Sequence, residues 1–185
     1  SALLKEPETY EHVPPESVGN KRHVMVSDQA GKSNLISELT RFGMKVSKSD
    51  PRLEGLLSDI KEREALGYAY EAADASLELL ARRRLVKVTV GGEEFMSVAE
   101  GNGPVNALDQ ALRKDLGVYN AYIEDLELVD FKVRILNGGT EAITRVLIES
   151  RDGDGNRWST VGVSSNIIDA SFAALLESIE YKLLR

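Results

Sequence analysis

The stretch Gly101–Val105 combines residue types that suit a small anionic ligand. Gly101 and Gly103 permit positive φ angles and close approach of a ligand to the backbone, and Pro104 is favoured at the first position of a helix. A helix start offers unpaired N–H groups and a partial positive charge, which together favour a carboxylate. A second helix start of this kind follows at Ser164–Ile167. Both starts could equally be helix caps without a ligand, so the two interpretations stay open.

Two other patterns resemble known sites but lack residues that those sites require. Gly31–Ser33 ends like a phosphate-binding loop, but the position that should hold its first glycine is Val26. Asp152–Asn156 resembles the start of a calcium loop, whose required glycine and glutamate are replaced by Arg157 and Val163. We therefore predict a turn with a helix cap at the first pattern and a hairpin turn at the second.

The chain offers few residues for metal binding or catalysis. His12 and His23 are its only histidines, and neither has carboxylate partners at the spacing of a metal site. There is no cysteine, which excludes disulfides and thiolate chemistry. No combination of serine, histidine and acid suggests a nucleophilic triad. The sequence therefore predicts neither a metal site nor a catalytic residue set of its own.

Composition and charge argue against two classes of partner. The net charge of the 185-residue chain is −7, and its basic residues do not form the basic face of a nucleic-acid-binding protein. No apolar run approaches the roughly 20 residues that span a bilayer, and the N-terminus is too short and polar for a signal peptide. We expect a cytoplasmic protein with no nucleic-acid or membrane partner.

The elements that position the two helix starts fall into three regions. Residues 1–32 are rich in proline and glycine and are predicted to be irregular, with one short strand at Arg22–Val26. Residues 33–84 carry apolar residues at helical spacing, with a predicted helix stop at Gly43 and a predicted N-cap at Asp50, and residues 85–185 alternate strands with helices. The third helix of residues 33–84 is predicted to present one apolar face, which includes Ser76. We predict an α+β fold, with a linker region over 1–84 and a separate domain over 85–185.

The strand-rich region contains an internal repeat, whose two copies align at a constant offset. Phe95 aligns with Trp158, and Ala111 aligns with Ala174. Each copy is a predicted hairpin whose second strand leads into a helix. One such unit leaves a sheet face uncovered, and two units packed together can cover it, which is the physical reason for repetition.

The two copies differ in length. The second copy has an additional first strand at Leu128–Leu136, whose counterpart would fall near residues 65–73, a stretch that is predicted to be helical. Either the fold is asymmetric or the chain lacks a segment at Arg84–Leu85. The second alternative is favoured, because three arginines lead directly into a predicted strand without turn residues.

Several long stretches resemble the isopropylmalate synthase family. AEGNGPVNALDQALRK, ELVDFKVRIL, RVLIES and WSTVGVSSNIIDASFAALLESIEYKLL are similar to its regulatory domain. PETYEHVPPESVGNKRHVMVSDQAGKSNL is similar to the linker that follows its catalytic barrel. The resemblance covers nearly the whole chain and is greatest to the citramalate synthase branch of the family.

The resemblance implies a parent acyltransferase that condenses acetyl-CoA with a 2-oxo acid in a (β/α)8 barrel that binds a divalent metal. In the citramalate branch this acid is pyruvate, the product is (R)-citramalate, and the route leads to isoleucine. The barrel is expected to lie outside this chain, which alone would be inactive and hold no cofactor. The regulatory domain is expected to contain two βββα units, to form a homodimer and to bind an end-product amino acid, isoleucine. The alternatives are a 2-isopropylmalate synthase that senses leucine, and a dimerisation module without a ligand.

The resemblance also assigns roles by position. Phe131 stands where the family often has tyrosine, so a hydroxyl contact would be lost. Tyr10 resembles a linker tyrosine that reaches toward the active site of the neighbouring subunit, although a packing role fits equally well. The residues expected to line the effector pocket are Gly101, Asn102, Gly103, Pro104, Val105, Phe131, Ile135, Ser165, Asn166 and Ile167.

Overall fold

The computed structural model describes residues 32–85, 100–136 and 142–185. The chain divides into two compact units, Ser1–Lys61 and Glu62–Arg185. The predicted strand at Arg22–Val26 and the predicted hairpin of the first repeat, residues 86–99, lie outside the described residues. The predicted functional division into 1–84 and 85–185 remains a prediction.

The described part of the first unit is a helical pair. Helix α1 spans Lys32–Arg41, and helix α2 begins at Arg52 and ends at Ala65, beyond the limit of the unit. Gly43 has a φ of 78°, which confirms the predicted stop after α1. Asp50 accepts a hydrogen bond from the backbone N–H of Arg52 at 2.9 Å, as the predicted N-cap requires. The side chains of the helical stripe are buried: Leu35, Leu39, Leu53, Leu56 and Ile60.

A three-stranded antiparallel sheet forms the centre of the second unit. Its strands are β1 (Glu127–Ile135), β2 (Thr144–Arg151) and β3 (Arg157–Ser164), in the order β1-β2-β3. Helix α6 (Ile167–Leu183) packs on β2 and β3. Alternate residues of β2 are buried, as expected for a sheet with one covered face. These four elements form a βββα unit, and the predicted α+β class is confirmed.

Helix α6 lies very close to the backbone of β3. A Cβ atom on Gly162 would overlap the carbonyl of Ala170, so only glycine fits at this crossing. Small residues on the facing side of α6, Ala170 and Ala174, are fully buried there. The Thr160 hydroxyl donates to the Ala174 carbonyl at 2.8 Å, which satisfies a polar group inside the contact.

The remaining helices surround this βββα unit. They are α3 (Asp74–Leu85), α4 (Pro104–Asp115) and the single turn α5 (Asn120–Ile123). The sequence predicts an apolar face on the third helix, but residues 75–81 are buried all around. The physical reason is that α3 contacts both β3 and α6.

The turn between β2 and β3 is a structural hairpin. Gly155 has a φ of 83°, and the N–H of Asn156 donates to Asp152 Oδ1 at 2.8 Å. The Lys182 Nζ atom lies 2.8 Å from Asp125 Oδ2 and 3.6 Å from Asp152 Oδ2. Hydrogen bonding to Lys182 lowers the pKa of the Asp125 carboxyl. The Lys182 ammonium group links the hairpin to the C-terminal end of α6. The Gly155 conformation and the Asp152 hydrogen bond confirm the predicted hairpin turn.

Candidate functional site

The strand register brings one end of β1 and the start of α6 to the same end of the sheet. Ile135 pairs with Thr144, and Thr144 pairs with Ser164, the last residue of β3. Directly paired residues of antiparallel strands lie on one face, so these three form a row across the sheet. Two strand spacings separate Ile135 from Ser164, a distance of about 10 Å. The start of α6, which follows Ser164, therefore lies near Ile135 at the end of β1.

The two β1 residues expected in the pocket differ in burial. Phe131 pairs with Ile148 and Ile135 pairs with Thr144, so both lie on the face whose β2 residues are buried. Phe131 is half-buried and packs against the hydrophobic core. Ile135 is 65% exposed. The strand thus carries an anchored aromatic ring followed by an open aliphatic side chain.

Asn166 organises the start of α6. Its side chain accepts a hydrogen bond from the N–H of Ile168 at 2.9 Å, and its own N–H donates to the Ser164 hydroxyl at 3.1 Å. Ser165 and Ile167 are exposed. Because the Asn166 side-chain oxygen already caps the helix, a ligand carboxylate at this end would bind other N–H groups of the first turn.

The glycine-rich turn before α4 does not use the left-handed backbone that its glycines permit. Neither Gly101 nor Gly103 has a positive φ in the left-handed region, and Gly103 is extended at 173°. Gly101 is instead required by close packing, because a Cβ there would lie 2.6 Å from the backbone nitrogen of Ala107. A Cβ on Gly103 would meet no atom of the described residues within 4 Å. Pro104 opens α4 as predicted.

The side chain of Asn106 closes this turn. It accepts hydrogen bonds from the N–H of Asn102 at 3.2 Å and from the Gln110 amide at 2.9 Å. Val105 is half-buried and packs against the same core cluster as Phe131. Helix α4 also contacts α6. One residue expected in the pocket from each repeat thus lies on a common hydrophobic core.

The remaining sequence features concern the linker tyrosine, the two histidines and membrane-spanning helices. Tyr10, His12 and His23 lie outside the described residues. Within residues 32–85, 100–136 and 142–185, no group of three or more acidic or histidine side chains could hold a metal ion. In the same part of the chain no helix is both long and apolar enough to cross a bilayer.

Comparison with protein families identifies the domain. Residues 49–183 match the family described as the LeuA allosteric (dimerisation) domain. The chain belongs to this family. Residues 1–65 also match the homocitrate synthase post-HMGL domain-like family. The two matched regions overlap at residues 49–65 and together cover residues 1–183.

Curated relatives of this LeuA-type chain are mostly named (R)-citramalate synthase. The protein of that name from Synechocystis sp. is 45% identical over 218 aligned positions, covering 99% of this chain and 40% of the relative. The one from Aquifex aeolicus is 45% identical over 217 positions, covering 100% of this chain and 41% of the relative. A probable 2-isopropylmalate synthase from Methanopyrus kandleri is 27% identical, with 96% and 40% covered. The chain thus spans about two fifths of the length of these relatives.

The LeuA-type domain also contains a polar junction that the sequence did not predict. Asp74 and Ser76 of α3 accept hydrogen bonds from the N–H groups of Ser159 and Val161, at 3.1 and 2.9 Å. These side chains therefore satisfy the edge of β3. The Ser76 hydroxyl donates to Glu177 of α6 at 2.5 Å. Ser76 was expected on an apolar face, and nothing local reveals partners 85 and 101 residues away.

Charged groups complete the junction between α3 and α6. Arg83 lies 3.0 Å from Glu177 and also forms an ion pair with Glu180. Burial raises the pKa of Glu177, although Ser76 and Arg83 oppose that shift. Burial also raises the pKa of Tyr181, whose hydroxyl donates to Glu78, to about 12. The junction is a set of satisfied polar contacts that fixes α3 on the βββα unit.

Proposed function

We propose that this chain is the regulatory part of an acyltransferase that condenses acetyl-CoA with a 2-oxo acid. Pyruvate is the proposed acid, because the relatives at 45% identity are named (R)-citramalate synthase. The proposed role of the chain is to bind a branched-chain amino acid, isoleucine first, and to form a homodimer. The reaction itself is assigned to a barrel, for which the curated relatives have room because this chain covers only 40% of their length.

The strand register is the observation that supports this proposal most. It brings the exposed side chain of Ile135 to the sheet end at which α6 starts. A branched aliphatic amino acid needs an apolar surface for its side chain and polar groups for its carboxylate and ammonium. Ile135 with Phe131 provides the former, and the first N–H groups of α6 suit the carboxylate.

The start of α4 is proposed as the second wall of the site. Its Val105 packs against the same core cluster as Phe131. Gly103 has open space where a side chain would be, so a ligand could approach its backbone closely. Differential binding of the effector to two states of the parent enzyme, worth about 1–3 kcal/mol, would be enough for feedback inhibition.

Thermal unfolding with and without amino acids tests the proposal. A ligand at 100 times its dissociation constant stabilises the folded state by about 2.7 kcal/mol, so millimolar isoleucine should raise the midpoint by several degrees. Leucine and valine are the comparison ligands. A larger shift with leucine would favour the 2-isopropylmalate synthase alternative, and no shift with any of the three would contradict the effector role.

A matched pair of glycine variants locates the site within the chain. Gly103→Val should abolish the isoleucine shift while the unliganded midpoint stays unchanged, because within the described part of the chain a Cβ there meets no atom within 4 Å. Gly117→Val is the control, since its Cβ also meets none of the described atoms within 4 Å and it lies beyond the other end of α4. Unchanged isoleucine affinity in Gly103→Val, measured by calorimetry, would remove this turn from the pocket.

A further inference from the structure

The relatives contain residues inside the matched region that this chain lacks. The Synechocystis relative is matched over 218 positions, although the whole chain has 185 residues. At least 33 of those positions, the difference between 218 and 185, therefore have a residue in the relative and none here. The alignments with the relatives from Aquifex aeolicus and Geobacter sulfurreducens extend over 217 and 215 positions. Similar excesses recur in three relatives, and the internal repeat is the reason to treat them as one internal block.

The internal repeat indicates where this block belongs. The second repeat is complete, with β1, β2, β3 and α6 in succession. The offset that aligns Phe95 with Trp158 places the counterpart of β1 at residues 64–72, which contain the end of α2 and a helical turn at Tyr70–Ala72. It also places the counterpart of the start of β2 in the last part of α3. The first strand of the first repeat is therefore not encoded before Leu85.

Helix α3 is not a displaced part of that repeat. Its residues Ala75 and Leu79 belong to the hydrophobic core of the second repeat. Asp74 and Ser76 satisfy the edge of β3. A segment with these contacts is a separate helix that packs on the second repeat and is not part of the first repeat. The absent block must therefore follow α3 rather than replace it.

The length of the block agrees with this location. In the complete repeat, residues 124–148 extend from the end of α5 to Ile148, the counterpart of Leu85. This stretch comprises a connection, the whole of β1, the residues between β1 and β2, and half of β2. A block of at least 33 positions is longer than this stretch, so it can supply the same elements with a few loop residues to spare.

We infer that this chain carries an internal deletion of this block directly after α3, and that the deletion weakens effector binding. This inference rests on the proposed function, in which the site has one wall from each repeat. The strand that this block is predicted to supply is absent from the first repeat, so we expect the α4 wall to be held less firmly. A site that is ordered only on binding has a lower affinity than a preorganised one.

Restoring the block tests the inference. The corresponding segment of the Synechocystis relative is inserted between Arg84 and Leu85, and isoleucine binding is measured by calorimetry beside the unaltered chain. We expect a higher thermal midpoint and at least tenfold tighter isoleucine binding. The matched control is the same insert with two residues of its strand replaced by proline, which prevents pairing and should give neither gain.

The outcomes separate this inference from the proposed function. Equal isoleucine affinity with and without the block would overturn the inference and leave the proposed function intact. If neither protein binds isoleucine, leucine or valine, the proposed function fails, and a higher midpoint relative to the proline control would still support the location of the deletion. A second chimera carries the insert between Leu85 and Val86. If neither chimera folds while the unaltered chain does, the location after α3 is wrong.

Discussion

At the scale of single residues, the two glycines before α4 have separate physical roles. Gly101 lies where its Cβ would approach both the Ala107 backbone nitrogen and the Asn106 side chain at 2.6 Å. Gly103 is extended, and no atom of residues 32–85, 100–136 or 142–185 lies within 4 Å of its Cβ position. One glycine therefore permits the turn to close on α4, and the other leaves room on the outside of the turn.

Alanine substitutions should distinguish these roles by stability alone. Gly101→Ala is expected to reduce the free energy of unfolding by about 1–3 kcal/mol, as overpacking does in well-packed regions. Gly103→Ala should change it by less than about 0.5 kcal/mol, as at an unconstrained surface position. Urea denaturation followed by circular dichroism measures both. Equal effects of the two substitutions would show that the packing at Gly101 does not restrict the side chain.

Sequence patterns predicted the structural roles of some of these residues but not of others. Proline at the start of α4 and the stop at Gly43 depend on local backbone chemistry, which a sequence displays directly. The glycine turn does not use the positive φ that its residues permit, because Gly101 is required by contact with a helix backbone rather than by its own dihedral angles. Contacts of this kind depend on the course of the folded chain and leave no local signal.

At the scale of elements, the alternation of apolar and polar residues predicted the strands β1–β3, whereas no sequence pattern predicted the surroundings of α3. Alternating burial in β2 follows the period of two that the sequence shows. Helix α3 instead joins β3 and α6 through Ser76, whose partners Val161 and Glu177 are 85 and 101 residues distant in sequence. A serine among alanines and leucines gives no indication that it caps a strand edge. The junction therefore had to be seen in the structure.

The junction should give the domain a measurable pH dependence. Burial raises the pKa of Glu177 in the folded state above its ordinary value of 4.5. The folded chain then binds this proton more tightly than the unfolded chain does, so the contribution is favourable at low pH. It is lost as the pH rises from about 4.5 through the folded pKa. Glu177→Gln cannot titrate, so the free energy of unfolding should depend less on pH in this range.

Urea denaturation at a series of pH values between about 4.5 and 7 compares the variant with the unaltered chain. Glu180→Gln is the matched control, since Glu180 also pairs with Arg83 but its side chain is 40% exposed, against 13% for Glu177. The control should keep the pH dependence of the unaltered chain. A parallel pH profile in Glu177→Gln would mean that another group carries the linkage.

At the scale of the whole molecule, the edge of the sheet formed by β1 offers a surface for self-association. Among the described residues β1 pairs only with β2, and α6 packs on β2 and β3. Val133 lies on the face that α6 covers elsewhere and is 42% exposed. The family is described as a dimerisation domain, and an open strand with exposed apolar residues is suited to pairing between copies. The other large apolar residues exposed on β1 are Leu128, Val129 and Ile135.

The dimer proposed above should therefore depend on β1. Val133→Lys places a charge in the middle of this surface and is expected to raise the dimer dissociation constant at least about tenfold, or 1.4 kcal/mol. Leu66→Lys is the matched control, since Leu66 is 60% exposed and lies outside the sheet. Light scattering over a range of concentrations measures the dissociation constants, and circular dichroism checks that both variants fold. Because each copy carries a net charge of −7, higher salt should strengthen the dimer by screening repulsion. Equal dissociation constants in the two variants would place the dimer contact on another surface.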